Sequence, residues 1–212
     1  EELGVKLNIA SEKITECITK AKIGFMFAPN HHSAMKYVGP VRQKLAVKTI
    51  FNLLGPLSNP ANVKKQLLGV YDKKWVMPIA ETLKNLGSTR ALIVNGSDGL
   101  DEITTTGISY VSELKDNKVK TYEINPRDYG MALSDPLSLV GGSPKQNAEK
   151  IIKLLDGEKE AYRDIVILNS SAALYIDGKV SNIKDGIELS KHSIDGGMAK
   201  SALNKLVKVS NS

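Results

Sequence analysis

The sequence is poor in the residues that build several common kinds of site. It has one cysteine, three histidines and one tryptophan among 212 residues, and aromatic residues make up only 5%. A single thiol cannot form an internal disulfide, which fits a protein of the reducing cytoplasm. Cys17 lies beside Ile14 and Ile18 in a helical pattern, so we expect it to be a small core residue.

Long apolar runs and blocks of like charge are also missing. No apolar stretch reaches the length of a membrane-spanning helix. The net charge is +6, which favours partners that carry phosphate. No five consecutive charges share a sign, however, and this dispersed charge favours small anionic ligands over nucleic acid.

The order of apolar patterns predicts an α/β fold. Strands are predicted at residues 23–27, 66–71, 90–95, 108–114 and 118–124, and helices at 74–86, 144–155, 163–175 and 183–207, the last interrupted near Gly196-Gly197. The strand at 90–95 is apolar on both faces, which is typical of a sheet covered by helices on both sides. We therefore expect a mostly parallel sheet with helices on both faces.

One stretch, residues 25–62, combines apolar runs with proline breaks and polar groups. Proline pushes the residue before it out of helical geometry, so Ala28-Pro29, Gly55-Pro56 and Asn59-Pro60 predict breaks in the chain. Residues 33–48 are compatible with a helix that Gly39-Pro40 divides. Histidines and an arginine gathered near such breaks indicate a binding site more strongly than polar groups scattered along one face.

A second stretch places three acids directly after the predicted strand 90–95. Asp98, Asp101 and Glu102 lie within five positions, at a strand end where α/β proteins bind ligands. Like charges this close repel, and a hard cation such as Mg²⁺ relieves the repulsion. On the spacing alone, a solvated turn with Asp101 capping a helix is the simpler interpretation.

Together the two stretches closely resemble the anthranilate phosphoribosyltransferases of tryptophan biosynthesis. The first carries Ala-Pro-Asn-His-His, Ala-Met-Lys, Val-Arg, Phe-Asn-Leu-Leu-Gly-Pro-Leu and Asn-Pro-Ala, and the second carries Gly-Ser-Asp-Gly-Leu-Asp-Glu. Ser33 departs from the proline that is usual in this family, which we expect to affect loop stiffness. The resemblance covers the whole chain but only the C-terminal part of the family's length.

The resemblance implies a role for six residues. Arg42 corresponds to the arginine that binds the anthranilate carboxylate, and His32, Met35 and Pro56 correspond to residues that line the same pocket. Asp101 and Glu102 correspond to the pair that binds Mg²⁺ alongside phosphoribosyl pyrophosphate, which leaves Asp98 a structural role. The implied reaction is phosphoribosyl transfer to the amine of anthranilate with release of pyrophosphate, and it needs no catalytic nucleophile from the protein.

The resemblance also implies a domain organisation. Residues 1–28 and 49–212 correspond to the α/β domain, with its N-terminal part absent, and residues 29–48 to a remnant of the small helical domain. In the family that helical domain supplies most of the homodimer contact. The glycine-rich pyrophosphate loop is absent here, and Gly141-Gly142-Ser143, its nearest substitute, is expected to be a helix cap. We therefore expect this chain alone to be inactive and to bind phosphoribosyl pyrophosphate weakly.

Three other interpretations remain open at this point. A pyrimidine-nucleoside phosphorylase shares the fold and the outline of the Asp-Gly-Leu-Asp-Glu segment. A transferase-like nucleic-acid-binding protein needs a clustered basic groove and no metal pair. A purely structural fragment needs neither.

Overall fold

The structure is a computed structural model that describes residues 1–31 and 51–212. The chain divides into two compact units. The helical unit comprises Glu1–Pro60, Gly142–Asp156 and Ile194–Ser212. The sheet unit comprises Ala61–Gly141 and Gly157–Ser193. The predicted helix at 33–48 and most of the segment 29–48, assigned to a small helical domain, lie outside the described residues, so both assignments stay predictions.

The described residues form both helices and strands, with the strands in the middle of the chain. The helices are α1 Ser11–Ala21, α2 Ala28–His31, α3 Phe51–Leu57, α4 Val76–Asn85, α5 Pro144–Leu155, α6 Ala161–Asp177, α7 Ile183–Asp195 and α8 Met198–Asn211. The strands are β1 Lys65–Gly69, β2 Arg90–Gly96, β3 Ser109–Lys115 and β4 Lys118–Ile124. The α/β class is thus confirmed.

In the helical unit, α1 packs against α8 around a small apolar core. Cys17 and Ala21 of α1 are buried with Leu206 of α8, and Val5, Ile9 and Val209 pack around them. The core role predicted for Cys17 is therefore confirmed.

The predicted strand at residues 23–27 is wrong. The structure gives this run no regular secondary structure, and the side chains of Ile23 and Phe25 are about half exposed. Gly24 instead packs closely on α1, where a Cβ atom at this position would come within 2.7 Å of Ile18. A short apolar run does not reveal by its period whether it pairs in a sheet or packs on a helix.

The predicted break at Gly55-Pro56 is also wrong, because α3 continues through both residues to Leu57. Pro56 lies in the last turn of α3, so its missing N–H removes only one bond from the helix. The backbone N–H of Ser58 still donates to the Leu54 carbonyl oxygen at 3.0 Å. The change of direction comes after this, at Asn59-Pro60.

The sheet unit contains one four-stranded sheet in the order β1-β2-β3-β4. β1 and β2 are parallel, whereas β2 with β3 and β3 with β4 are antiparallel. Among the described residues the sheet is therefore mixed, in contrast to the mostly parallel sheet that we expected. The predicted hairpin accounts for the difference, and its turn at Asp116-Asn117 has the positive φ angles of a tight two-residue connection.

Strand β2 forms the centre of the sheet unit. All its residues from Ala91 to Gly96 are buried, so both of its faces are covered. Helices α4 and α6 both pack against it, α4 also contacting β3 and α6 also contacting β1. This arrangement fixes the carboxyl end of β2, from which the acidic loop begins.

Helix α6 is tied to the sheet at its C-terminal end. The Tyr175 hydroxyl donates to Glu113 on β3 at 2.6 Å, and the Arg90 guanidinium lies 5.1 Å from the Tyr175 ring centre. Lys65 of β1 forms a 3.1 Å ion pair with Asp177. These contacts hold α6 in one position relative to β1, β2 and β3.

Within residues 1–31 and 51–212, none of the helices combines the length and the apolar character that crossing a membrane requires.

Candidate functional site

The loop that carries the three acids, residues 97–108, connects the carboxyl end of β2 to the start of β3. We call residues 97–108 the acidic loop. It contains no helix, so Asp101 does not act as the helix cap that the simpler interpretation required. Its position at a buried strand end agrees with the place where α/β sheets bind ligands.

Asp98 holds the acidic loop together from inside. Its carboxylate accepts hydrogen bonds from the hydroxyls of Thr104 and Thr106, both at 2.6 Å, and from the backbone N–H of Leu100 at 3.1 Å. Burial on its own would raise the pKa of Asp98, but these three donors outweigh it and the pKa is lowered. The charged carboxylate therefore stabilises the folded loop.

We expect Asp98→Asn to destabilise the protein in a pH-dependent way. Unfolded aspartate titrates near about pH 3.9. Because the folded pKa is lower, the stabilisation is fully present above that pH and is lost as the pH falls through the folded value. Urea unfolding should show a gap between wild type and Asp98→Asn that is largest at neutral pH and narrows in acid.

Asp116→Asn is the matched control for that experiment. Asp116 lies in the β3-β4 turn with a φ of 51°, a conformation that asparagine also adopts readily, so the control should unfold like wild type. Equal stability of Asp98→Asn and Asp116→Asn at neutral pH would contradict the role given to Asp98.

The backbone around Asp101 and Glu102 is fixed at three successive peptide groups. The Leu100 carbonyl accepts from the Gly96 N–H at 2.8 Å. The Asp101 carbonyl lies against Gly69 of β1, so close that a Cβ atom on Gly69 would fall 1.5 Å from its oxygen. The peptide group after Glu102 is fixed because the Ile103 N–H donates to the Asn169 side chain at 2.9 Å.

The sequence did not predict these supporting residues. A second contact to Leu100 comes from Asn95, a buried strand residue whose amide donates to the carbonyls of Val70 at 2.9 Å and Leu100 at 3.4 Å. Gly69 inside the predicted strand 66–71 and Asn169 inside a helix are each unfavourable for their element. A residue that is unfavourable for its own element indicates a tertiary contact, and this was the signal that the sequence offered.

Where the structure describes the chain, the backbone of Asp101 and Glu102 is held by contacts, but their carboxylates are not. Both residues are exposed, and among the described residues neither side chain accepts a hydrogen bond or pairs with a cation. Desolvation of the Glu102 carboxyl group by the protein around it raises its pKa, and the nearby charge of Asp101 raises this pKa further. The charge of Glu102 in turn contributes, after burial, to a raised pKa of Tyr162 on α6.

This arrangement fits a cation that is shared with a ligand. Across the part of the chain that the structure describes, no three metal-binding side chains come together, so a site held entirely by protein side chains is absent there. Two adjacent carboxylates suit Mg²⁺, which keeps water ligands and usually shares its shell with substrate phosphates.

The predicted pocket residues fall mostly outside the described residues. Arg42, His32 and Met35 belong to that undescribed stretch, so their roles stay predictions. Pro56 is partly buried in α3. His31 ends α2, and its Nε2 atom is buried without a hydrogen-bond partner among the described residues.

The glycine-rich segment before α5 is a helix cap, as we expected. Ser143 and Gln146 form a reciprocal capping box, and the Gly142 N–H donates to the Asn147 side chain at 2.8 Å. The backbone N–H of Ser143 donates to Gln146, also at 2.8 Å. The backbone N–H groups of Gly142 and Ser143 are thus already bonded within the cap.

Comparison with known proteins identifies close relatives. The chain is 54% identical over 211 residues to an anthranilate phosphoribosyltransferase from Parvibaculum lavamentivorans, with 100% of this chain and 62% of the relative aligned. It is 50% identical to one from a Bradyrhizobium species over 99% of this chain, again 62% of the relative. The chain thus spans about three fifths of the length of these curated relatives.

Solved structures give the same result. A crystal structure of anthranilate phosphoribosyltransferase from Thermus thermophilus matches 100% of this chain and 63% of its own, with a TM-score of 0.92 at 37% identity. The Saccharomyces cerevisiae enzyme in complex with phosphoribosyl pyrophosphate and Mg matches 99% of this chain and 61% of its own, with a TM-score of 0.88 at 26% identity.

The family assignment rests on a match that extends through both compact units. The chain matches the family described as "Glycosyl transferase family, a/b domain" over residues 1–200. That match includes the mixed sheet and the acidic loop as well as α1, α2, α3 and α5 of the other unit. The chain therefore belongs to the glycosyl transferase family, of which it carries the a/b domain.

Proposed function

We propose that this chain is part of an anthranilate phosphoribosyltransferase. The observation that carries the proposal is the Asp101-Glu102 pair, held on a fixed backbone at the carboxyl end of β2 with no cation partner among the described residues. Support comes from the relatives named above and from a homologous structure that contains phosphoribosyl pyrophosphate and Mg.

The reaction is displacement at the anomeric carbon of phosphoribosyl pyrophosphate. The anthranilate amine forms the new C–N bond, the C–O bond to pyrophosphate breaks with its electron pair, and the amine then loses a proton. When bound, Mg²⁺ offsets the negative charge on the leaving pyrophosphate. Asp101 and Glu102 hold that metal, and the protein contributes mainly positioning and electrostatic stabilisation.

The acceptor site belongs to the same proposal. The Arg42 guanidinium pairs with the carboxylate of anthranilate through two parallel hydrogen bonds. His32, Met35 and Pro56 line the pocket around the ring. A cytoplasmic location and, for the intact enzyme, a homodimer are further parts of the proposal, and both rest on the family resemblance.

The proposal predicts different behaviour for this chain and for a completed enzyme. Alone, the chain should show no turnover and weak binding of phosphoribosyl pyrophosphate, because the resemblance assigns the main pyrophosphate loop to the part of the relatives' length that this chain does not span. Calorimetry with Mg²⁺ checks this, and micromolar affinity for the chain alone would refute it. Fused to the part of the Parvibaculum lavamentivorans relative that the match leaves out, it should consume anthranilate.

The same fusion distinguishes the alternatives. We would assay it with anthranilate and phosphoribosyl pyrophosphate, and separately with a pyrimidine nucleoside and inorganic phosphate, with the full-length relative as the positive control. Activity in the second assay alone would favour a nucleoside phosphorylase. A salt-dependent gel shift of this chain with single-stranded DNA would favour the nucleic-acid-binding alternative.

A further inference from the structure

We propose that Asn169 is a positioning residue for the metal site, an inference that rests on the proposed function of Asp101 and Glu102. Asn169 lies in the middle of α6, 66 residues in sequence from Ile103 of the acidic loop. Asparagine is a poor residue for a helix interior because its side chain competes for backbone hydrogen bonds. A specific tertiary contact compensates for that cost here.

The Asn169 side chain binds both polar groups of a single backbone residue. Its Oδ1 accepts from the Ile103 N–H at 2.9 Å, and its Nδ2 donates to the Ile103 carbonyl at 2.8 Å. The remaining Nδ2 hydrogen is donated to the Ile165 carbonyl, one turn earlier in α6, at 2.9 Å. Only a side-chain amide offers an acceptor and two donors in one plane, and all three are used.

This contact controls the direction of Glu102. The Ile103 N–H belongs to the peptide group that joins Glu102 to Ile103, so Asn169 fixes the backbone on the C-terminal side of Glu102. Packing of the Asp101 carbonyl against Gly69 fixes the peptide group on the N-terminal side. With both neighbouring peptide groups held, Glu102 keeps only its side-chain rotations.

Asn169 also differs from the other residues that support the acidic loop in the element to which it belongs. Asp98, Thr104 and Thr106 belong to the loop itself, and Gly69 and Asn95 belong to the adjacent strands. Asn169 alone among these supports connects the loop to α6, which Tyr175 and Asp177 tie to the sheet. The backbone of the proposed metal ligands is therefore held by a contact to α6 as well as by a contact to the sheet.

The test uses Mn²⁺ as a paramagnetic probe of the metal site in the complete 212-residue chain. In wild type, Mn²⁺ added together with phosphoribosyl pyrophosphate should broaden the backbone amide signals of residues 101–103 in a titration followed by NMR. Asn169→Ala should weaken the Mn²⁺ affinity about tenfold, as loss of groups that orient metal ligands usually does. Hydrogen exchange at the Ile103 amide should become several-fold faster.

Ser171→Ala is the matched control, because in the described part of the chain the Ser171 hydroxyl bonds only to the Ile167 carbonyl within α6. It should leave both Mn²⁺ affinity and Ile103 exchange unchanged. Asn169→Gln keeps the amide group but moves it out by one methylene. It therefore tests whether the position of the amide against the Ile103 backbone matters, and it should also weaken Mn²⁺ binding.

Unchanged Mn²⁺ affinity in both Asn169 variants would overturn the positioning role and leave the proposed function intact. Absence of Mn²⁺ broadening at residues 101–103 in wild type would instead remove the metal assignment, and the positioning role would fall with it. An equal loss of Mn²⁺ affinity in Ser171→Ala and Asn169→Ala would also overturn the inference. The effect would then come from a less stable α6 and not from the contact of Asn169 with Ile103.

Discussion

Replacing Gly69 with alanine is expected to lower the free energy of unfolding by about 3 kcal/mol, which is large for a single added methyl group. The new Cβ atom would lie 1.5 Å from the Asp101 carbonyl oxygen and 2.4 Å from the carbonyl carbon. Neither atom belongs to a side chain that can rotate away. The backbone must shift at the end of β1 or in the acidic loop, and denaturant unfolding measures the cost.

Gly107→Ala is the matched control for that prediction. Gly107 lies near the C-terminal end of the acidic loop, and among the described residues a Cβ atom there would come within 3 Å only of the Ser97 hydroxyl, which can rotate aside. This variant should lose little stability. If Gly69→Ala and Gly107→Ala unfold at the same denaturant concentration, the close packing of Asp101 on β1 is not important for stability.

Removing the charges of the metal pair should have the largest effect on activity. In the fusion enzyme described above, Asp101→Asn combined with Glu102→Gln should lower kcat/KM for phosphoribosyl pyrophosphate by about 100-fold or more. The side chains keep nearly the same shape, so the loss reports charge. Steady-state rates at several Mg²⁺ concentrations should show a much weaker dependence on the metal in the double variant.

Glu123→Gln removes one carboxylate charge from an exposed position on β4 and serves as the control. Its rate and its Mg²⁺ dependence should match those of the unaltered fusion. The KM for anthranilate should change little in the double variant, because the proposal assigns that substrate to Arg42 and its neighbours. If the double variant changes the kinetic constants for anthranilate more than those for phosphoribosyl pyrophosphate, the acids act on anthranilate and the metal assignment is contradicted.

The parts of the fold that the sequence predicted well are those that local patterns determine. The hairpin around Asp116-Asn117 and the helix beginning after Ser143 carry turn and cap residues whose conformational preferences are strong. The strand at 90–95 is apolar on both faces, a pattern typical of a strand in a sheet that helices cover on both sides.

Two of the incorrect predictions concern segments in which a tertiary contact or the position within a helix decides the structure. The apolar run at 23–27 packs through Gly24 on α1 instead of entering a sheet. Gly55-Pro56 remains helical because the proline falls in the last turn of α3, where one missing N–H costs little. In both cases the deciding contact or position is absent from the local pattern.

For the candidate site, the sequence predicted the acidic residues but not their supports. Asp101 and Glu102 follow from charge spacing and from the resemblance. Gly69 and Asn169 lie 32 and 67 positions from Asp101 and Glu102 respectively, and only the folded chain brings their contacts to the loop. No local pattern encodes a contact at that separation.

The most direct test of the metal site is anomalous scattering from crystals of this chain soaked with Mn²⁺ and phosphoribosyl pyrophosphate. We expect one Mn²⁺ peak at about 2 Å from carboxylate oxygens of Asp101 and Glu102, in line with hard-cation coordination distances. A peak at other residues, with these two carboxylates unliganded, would contradict the account.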